Sequence, residues 1–292
     1  MPWLINAAQL DKFRKTQKNL MILDASFHHG ERHAKQEFLE KHILDAHFFD
    51  IDAFSNTLPN ACHSHMVIQD EKHISELVGK LGIRNDYKII FYDNSDLHTA
   101  CRALWMFKLF GHNPNLLYIL DGGFKAWEKY GGKTATGQPT ISPKSYTAKF
   151  SNEFIRTLDQ IKTNLKNPTE QIIDVRHAVR YTGGSEPRAN VRSGHIPGSF
   201  CLPMAALFNK ENSFLPLEKI RKKLVDIGID LRVPIITSCG SGMTAPTLNF
   251  LLDLLNHPQH ALYNGSWTEW GAEKLYEGEV SLAARPVETC IS

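Results

Sequence analysis

Short apolar runs alternate with longer segments of helical period along this chain, and the alternation occurs twice. Met21-Ile22-Leu23-Asp24 and Ile172-Ile173-Asp174 are compact β-rich runs that each end in an acidic residue. Lys88-Ile89-Ile90-Phe91-Tyr92 and Pro234-Ile235-Ile236-Thr237 are near-continuous apolar runs of the kind that fill the middle of a sheet covered on both faces. Between such runs, Arg102 to Phe110 and Thr247 to Leu255 repeat apolar residues at helical spacing. Each stops near a turn residue, Gly111 or Asn256, with Pro114 or Pro258 soon after. Strands alternating with helices predict an α/β fold built on a mostly parallel sheet flanked by helices on both faces.

The two halves align at an offset of roughly 145 to 150 residues, a repeat of domain scale rather than the shorter period of a solenoid. His42-Ile43 answers to His195-Ile196, and Gly122-Gly123-Phe124 with Trp127 answers to Gly265-Ser266-Trp267 with Trp270. Two tandem domains follow, residues 1–135 and 153–292. They are joined by a linker over 136–152, where Gly137, Pro139, Pro143 and several Ser and Thr residues break any apolar period.

Composition narrows the function. The 292 residues are 42% hydrophobic and 22% charged with a formal charge of +2, so neither a nucleic-acid surface nor a membrane-binding basic face is expected. No apolar run of ~20 residues predicts a membrane span. The five cysteines are odd in number and dispersed, and the stretch from Met1 to Asn6 has no basic n-region or long apolar segment. A reducing, cytoplasmic setting is the expectation.

The chemistry points to Cys239. It opens Cys239-Gly240-Ser241-Gly242-Met243-Thr244, at the junction between an apolar strand and a helical segment. Backbone amides and the positive end of a helix at such a junction lower a thiol pKa. The bland alternative is a buried core cysteine. Glycines on both sides of Ser241 weigh against it, because they cost backbone entropy with no return in packing. At the equivalent strand end the first half has Asp93, in a loop one residue longer before the shared Thr-Ala. The first domain is therefore expected to be catalytically inactive.

These features together resemble the two-domain sulfurtransferases of the rhodanese superfamily, over nearly the whole chain, and most narrowly the branch that uses 3-mercaptopyruvate. The motifs that carry the resemblance are the duplicated unit, Gly194-His195-Ile196-Pro197-Gly198 after an Asp-Val-Arg strand, the Cys239 loop, and Gly265-Ser266-Trp267-Thr268-Glu269-Trp270. It implies tandem rhodanese-like domains and a Cys239 persulfide that passes sulfur to cyanide or a thiol, such as thioredoxin or a small thiol. It implies no metal or organic cofactor. Arg180 and Arg188 match the family's substrate-binding arginines, Gly240, Gly242, Met243 and Thr244 line the pocket, and Ser241, His65 and Asp52 match a proton relay, with His63 the rival for His65.

Thiosulfate-preferring relatives carry basic side chains directly after the cysteine. Here the neutral Gly240 and Ser241 suit a donor whose charge sits on a carboxylate remote from its sulfur. Met243 stands where the family usually has valine. Three rivals remain: a thiosulfate sulfurtransferase, a Cys-dependent phosphatase, which lacks its arginine because Ala245 and Pro246 close the loop, and a non-catalytic binding module. Cys62-His63-Ser64-His65 lacks a second ligand pair for zinc. Cys290 has a redox-linked disulfide as an alternative to a bland free thiol.

Overall fold

A computed structural model describes residues 3–55 and 65–290. They divide into two compact units, one of residues 3–55, 67–151 and 209–214, the other of residues 65–66, 152–208 and 215–290.

In the first unit β1 (Trp3–Ile5), β2 (Leu20–Asp24), β3 (Ala46–Phe48), β4 (Lys88–Tyr92) and β5 (Leu117–Leu120) form one sheet in the order β1-β5-β4-β2-β3. Every neighbouring pair is parallel. In the second unit β6 (Ile155–Arg156), β7 (Gln171–Asp174), β8 (Phe200–Cys201), β9 (Ile235–Ser238) and β10 (His260–Tyr263) run β6-β10-β9-β7-β8, again all parallel. The orders match strand for strand, so the fold is α/β with two tandem domains of one topology.

The duplication extends to single hydrogen bonds. Ala25 donates its amide to Tyr92 O and Val175 to Ser238 O, both at 2.9 Å. Helix Ala7–Thr16 begins with a capping box between Asn6 and Gln9, and helix Leu158–Lys166 with one between Thr157 and Gln160.

The central strands are buried on both faces, which is why their apolar runs do not alternate. Helices Ala100–Leu109 and Pro246–Leu254 follow these strands and are buried along almost their whole length. The second starts one residue before the apolar period does, since Pro246 tolerates the first helical turn, where its missing N–H leaves no bond unmade.

The segment 136–151, expected as a linker, is bound to the first unit as a strap. The amides of Lys144, Lys149 and Ser151 donate to the carbonyls of Gly79, Phe110 and Leu109, each at 2.9 Å. Tyr146 is buried and stacks on His112. The close approach needs glycine: a Cβ on Gly79 would meet Lys144 O at 2.5 Å, and one on Gly111 would meet Lys149 O at 2.3 Å. Chain order places His65 in the first half, yet His65 and Met66 cluster with the second unit, where Asn264 Nδ2 donates to Met66 Sδ at 3.1 Å.

Candidate active site

Cys239 follows directly on β9, with 1% of its surface exposed. Burial pushes its thiol up, but the Thr244 hydroxyl and the amides of Ala245, Thr244 and Ser241 hydrogen-bond the sulfur and outweigh burial, so the thiol titrates below its ordinary value. The loop carbonyls turn the other way. Trp267 N–H donates to Cys239 O at 3.0 Å, and Thr268 donates to Gly240 O from both its amide, at 2.9 Å, and its hydroxyl, at 2.7 Å. With carbonyls drawn toward helix Ser266–Trp270 and amides facing the sulfur, the loop is a cradle for an anion. Gly242 sits at φ +75°, a conformation in which a side chain is strained. Ser241 and Met243 are buried in the loop, and Thr244 is partly so.

Arg188 lies against the first turn of this loop. A Cβ at Gly240 would stand 2.7 Å from its Nη2, 3.0 Å from Nη1 and 3.1 Å from Cζ, so position 240 accepts a side chain only if the guanidinium moves. Arg188 donates from Nη1 to Glu186 Oε1 at 3.2 Å, and Arg180 grips the same carboxylate bidentately at 2.9 and 2.8 Å. Glu186 has 3% of its side chain exposed, against 23% for Arg180 and 29% for Arg188. The buried carboxylate thus holds both guanidinium groups while leaving part of each open to a ligand.

Arg176 approaches Glu186 as well, at 3.7 Å, and is fully buried; it pairs with Asp174 at 2.7 Å and covers the Trp267 ring at 4.3 Å from its centroid. Glu186 and Arg176 were not marked by the sequence. The Asp-Val-Arg strand end was visible, but that its arginine and the acid of Glu-Pro-Arg meet depends on how the loop returns.

The structure therefore brings Cys239, Gly240, Ser241, Gly242, Met243, Thr244, Arg180 and Arg188 into one unit. His65, also there, is buried. Asp52 is exposed in the first unit, on the 3-10 turn Ile51–Phe54. Cys62 and His63 lie outside the described residues. Among the described residues no cluster of three His, Cys, Asp or Glu side chains has the makings of a metal site.

Neighbouring motif residues are architectural. His195 directs Nδ1 to Tyr181 O at 2.8 Å and stacks on the Tyr181 ring, just as His42 directs Nδ1 to Phe38 O at 2.7 Å and stacks on Phe38. Trp267 and Trp270 are fully buried. Helix Ser266–Trp270, which draws in the loop carbonyls, is itself fastened by fully buried Arg285. That guanidinium donates to the carbonyls of Glu269, Trp270, Ala272 and Lys274 at 2.6 to 2.9 Å and pairs with Glu279. Lys162 also pairs with Glu279, at 2.6 Å.

The first unit repeats the cradle with a carboxyl of its own chain inside. Asp93 accepts from Ala100 N–H at 2.7 Å and from Ser95 N–H at 3.2 Å, and its carbonyl takes Phe124 N–H at 2.9 Å, as Cys239 O takes Trp267 N–H. Burial raises this carboxyl to about 7 despite those two amides, with the charges of Asp24 and Asp96 adding to the rise.

Comparison with known proteins places these features. The model of the rhodanese-like domain matches residues 6–130 and again 157–273. The chain is 35% identical over 257 residues to the human 3-mercaptopyruvate sulfurtransferase, covering 86% of this chain and 84% of that one. It is 35% identical over 281 residues to the Arabidopsis thaliana mitochondrial thiosulfate/3-mercaptopyruvate sulfurtransferase 1, covering 88% and 73%. The crystal structure of Escherichia coli SseA, a 3-mercaptopyruvate sulfotransferase with the rhodanese fold, superposes with a TM-score of 0.79 at 30% identity, over 91% of this chain and 99% of that one.

Proposed function

Since the chain belongs to the rhodanese-like domain family and is a sulfurtransferase, we propose that its donor is 3-mercaptopyruvate and that Cys239 carries the sulfur as a persulfide. The observation that supports this most is the first turn of the loop, where Gly240 brings no side chain of its own and the cation over it is the guanidinium of Arg188. That guanidinium belongs to the Arg180–Glu186–Arg188 cluster, whose paired forks suit the carboxylate and ketone of an organic thiol.

In this reading the Cys239 thiolate attacks the thiol sulfur of the donor. The new S–S bond forms as the donor's C–S bond breaks, and that electron pair leaves on carbon as the enolate of pyruvate, which takes a proton to become pyruvate. The outer sulfur keeps its hydrogen, so Cys239 ends as a persulfide. Arg180 and Arg188 hold the carboxylate and enolate oxygens, and the amides of Ser241, Thr244 and Ala245 stabilise the anionic sulfur. We assign the proton to a relay of Ser241, His65 and Asp52. Cyanide or a thiol, such as thioredoxin or a small thiol, then removes the outer sulfur. No cofactor enters these steps.

Mass spectrometry tests the first step. With 3-mercaptopyruvate the Cys239 peptide should gain about 32 Da, the mass of one sulfur. No gain, or an equal gain in Cys239→Ser, overturns the carrier. Relatives named for thiosulfate make it the competing donor, and a higher kcat/KM with thiosulfate would replace the donor proposed here.

No helix among the described residues is long and apolar enough to cross a membrane. We place the protein in the cytoplasm, and fractionation tests this against the mitochondrion, named for the Arabidopsis relative.

A further inference from the structure

Ser266 has a backbone that a serine rarely adopts. Its φ is +50°, in the left-handed region that costs any residue with a Cβ. At the same step of the first unit stands Gly123, at φ +57°, for which that conformation is free of steric cost. The second unit thus places a hydroxyl where the fold calls for a glycine. Strain of this kind persists where something else holds it, and such positions cluster at functional sites.

That hydroxyl is fully buried and meets three groups. Its Oγ accepts the amide of Cys239 at 3.2 Å, donates to Tyr263 O at 2.8 Å and lies 4.0 Å from Cys239 Sγ. A serine hydroxyl has one hydrogen to donate, so it serves either the carbonyl or the sulfur. While the sulfur is neutral, the shorter contact to Tyr263 O keeps the hydrogen. A full negative charge on sulfur is the stronger acceptor, and rotation about the Cβ–Oγ bond redirects the hydrogen to it without moving the backbone.

We infer that Ser266 is a catalytic residue whose single hydroxyl hydrogen alternates between Tyr263 O and Cys239 Sγ as the sulfur loses and gains charge. It adds a side-chain donor to the sulfur beyond the cradle that the loop amides and Thr244 build. The inference rests on Cys239 being the sulfur carrier, but its test does not use a sulfur donor.

The test follows the rate of Cys239 alkylation by iodoacetamide against pH, read on the Cys239 peptide so that other thiols do not contribute. Ser266→Ala and Ser266→Gly should both move the thiol titration upward by about one unit, a roughly tenfold slower alkylation at pH values below it. Ser266→Gly should also have a higher thermal midpoint than Ser266→Ala, since glycine relieves the positive φ. Unchanged pH profiles in a folded Ser266→Gly would overturn the inference and leave the serine a structural residue. If the profiles shift while the wild type accepts sulfur from no donor, the hydroxyl's role stands and the sulfurtransfer reading of Cys239 falls.

Discussion

The Asp93 and Cys239 loops leave equivalent central strands and turn their amides inward in the same way. One cradle holds a carboxylate from its own chain. The other holds a sulfur and lies under Arg188. The difference separates what the fold supplies from what the sequence adds: an inward ring of amides comes with the strand-to-helix turn, and chemistry requires a nucleophile inside it with guanidinium groups beside it. A cradle filled by Asp93 has no group to transfer.

The sharpest way to break this comparison is to make the loops alike. Cys239→Asp should fold, place its carboxylate on the same amides, and lose sulfur transfer by roughly 10⁴-fold or more in kcat/KM, because the nucleophile is gone. Measurable turnover in that variant would move the carrier to another residue.

Removing the clamp behind the second cradle comes next. Arg285→Ala leaves Glu279 and four carbonyls without their buried cation, and urea unfolding should register a loss of about 3–5 kcal/mol. A loss under 1 kcal/mol would mean that the helix behind the loop stands without Arg285. Glu279 is itself held down to about 2 by Arg285 and Lys162, which outweigh its burial. Its folded pKa lies below its ordinary 4.5, so its contribution is complete above that pH and is lost as pH falls from about 4.5 toward 2.

Arg188→Ala should lower kcat/KM for 3-mercaptopyruvate by about 100-fold, the scale of a charge-assisted contact in a sheltered site, and lower the value for thiosulfate much less. Equal losses would detach this arginine from the donor's carboxylate.

The smallest effect on turnover is expected in the first loop. Asp93 titrates at about 7 when folded, above its ordinary 3.8. The folded chain therefore holds this proton more tightly than the unfolded chain does, and stability should decline as pH rises from about 4 to about 7. Asp93→Asn should flatten that slope and leave sulfur transfer unchanged. A fall in turnover would give the first loop a part in catalysis.

Much of this was legible from residues alone. The duplication showed because buried parallel strands demand apolar runs, which survive as matching patterns, and the Cys239 loop showed because a tight turn demands glycine. Glu186 did not show: it is one of 31 acidic residues, and only the return of its loop sets it between two arginines. Ser266 hid because a positive φ is written in sequence only when glycine supplies it. The 136–151 strap read as a linker since its backbone bonds to Gly79, Leu109 and Phe110 leave no signature in its own side chains, and its buried anchor Tyr146 is a single aromatic among turn residues.

Arg285 gives the cysteine loop a dependence on the order in which the chain is made. The helix that draws the Cys239 and Gly240 carbonyls away from the sulfur is fastened by residues 279 and 285, which leave the ribosome some forty residues after the cysteine. Until they emerge, the helix behind the loop lacks its buried cation. A nascent chain paused before Arg285 would thus hold the Cys239 loop without the clamp behind it.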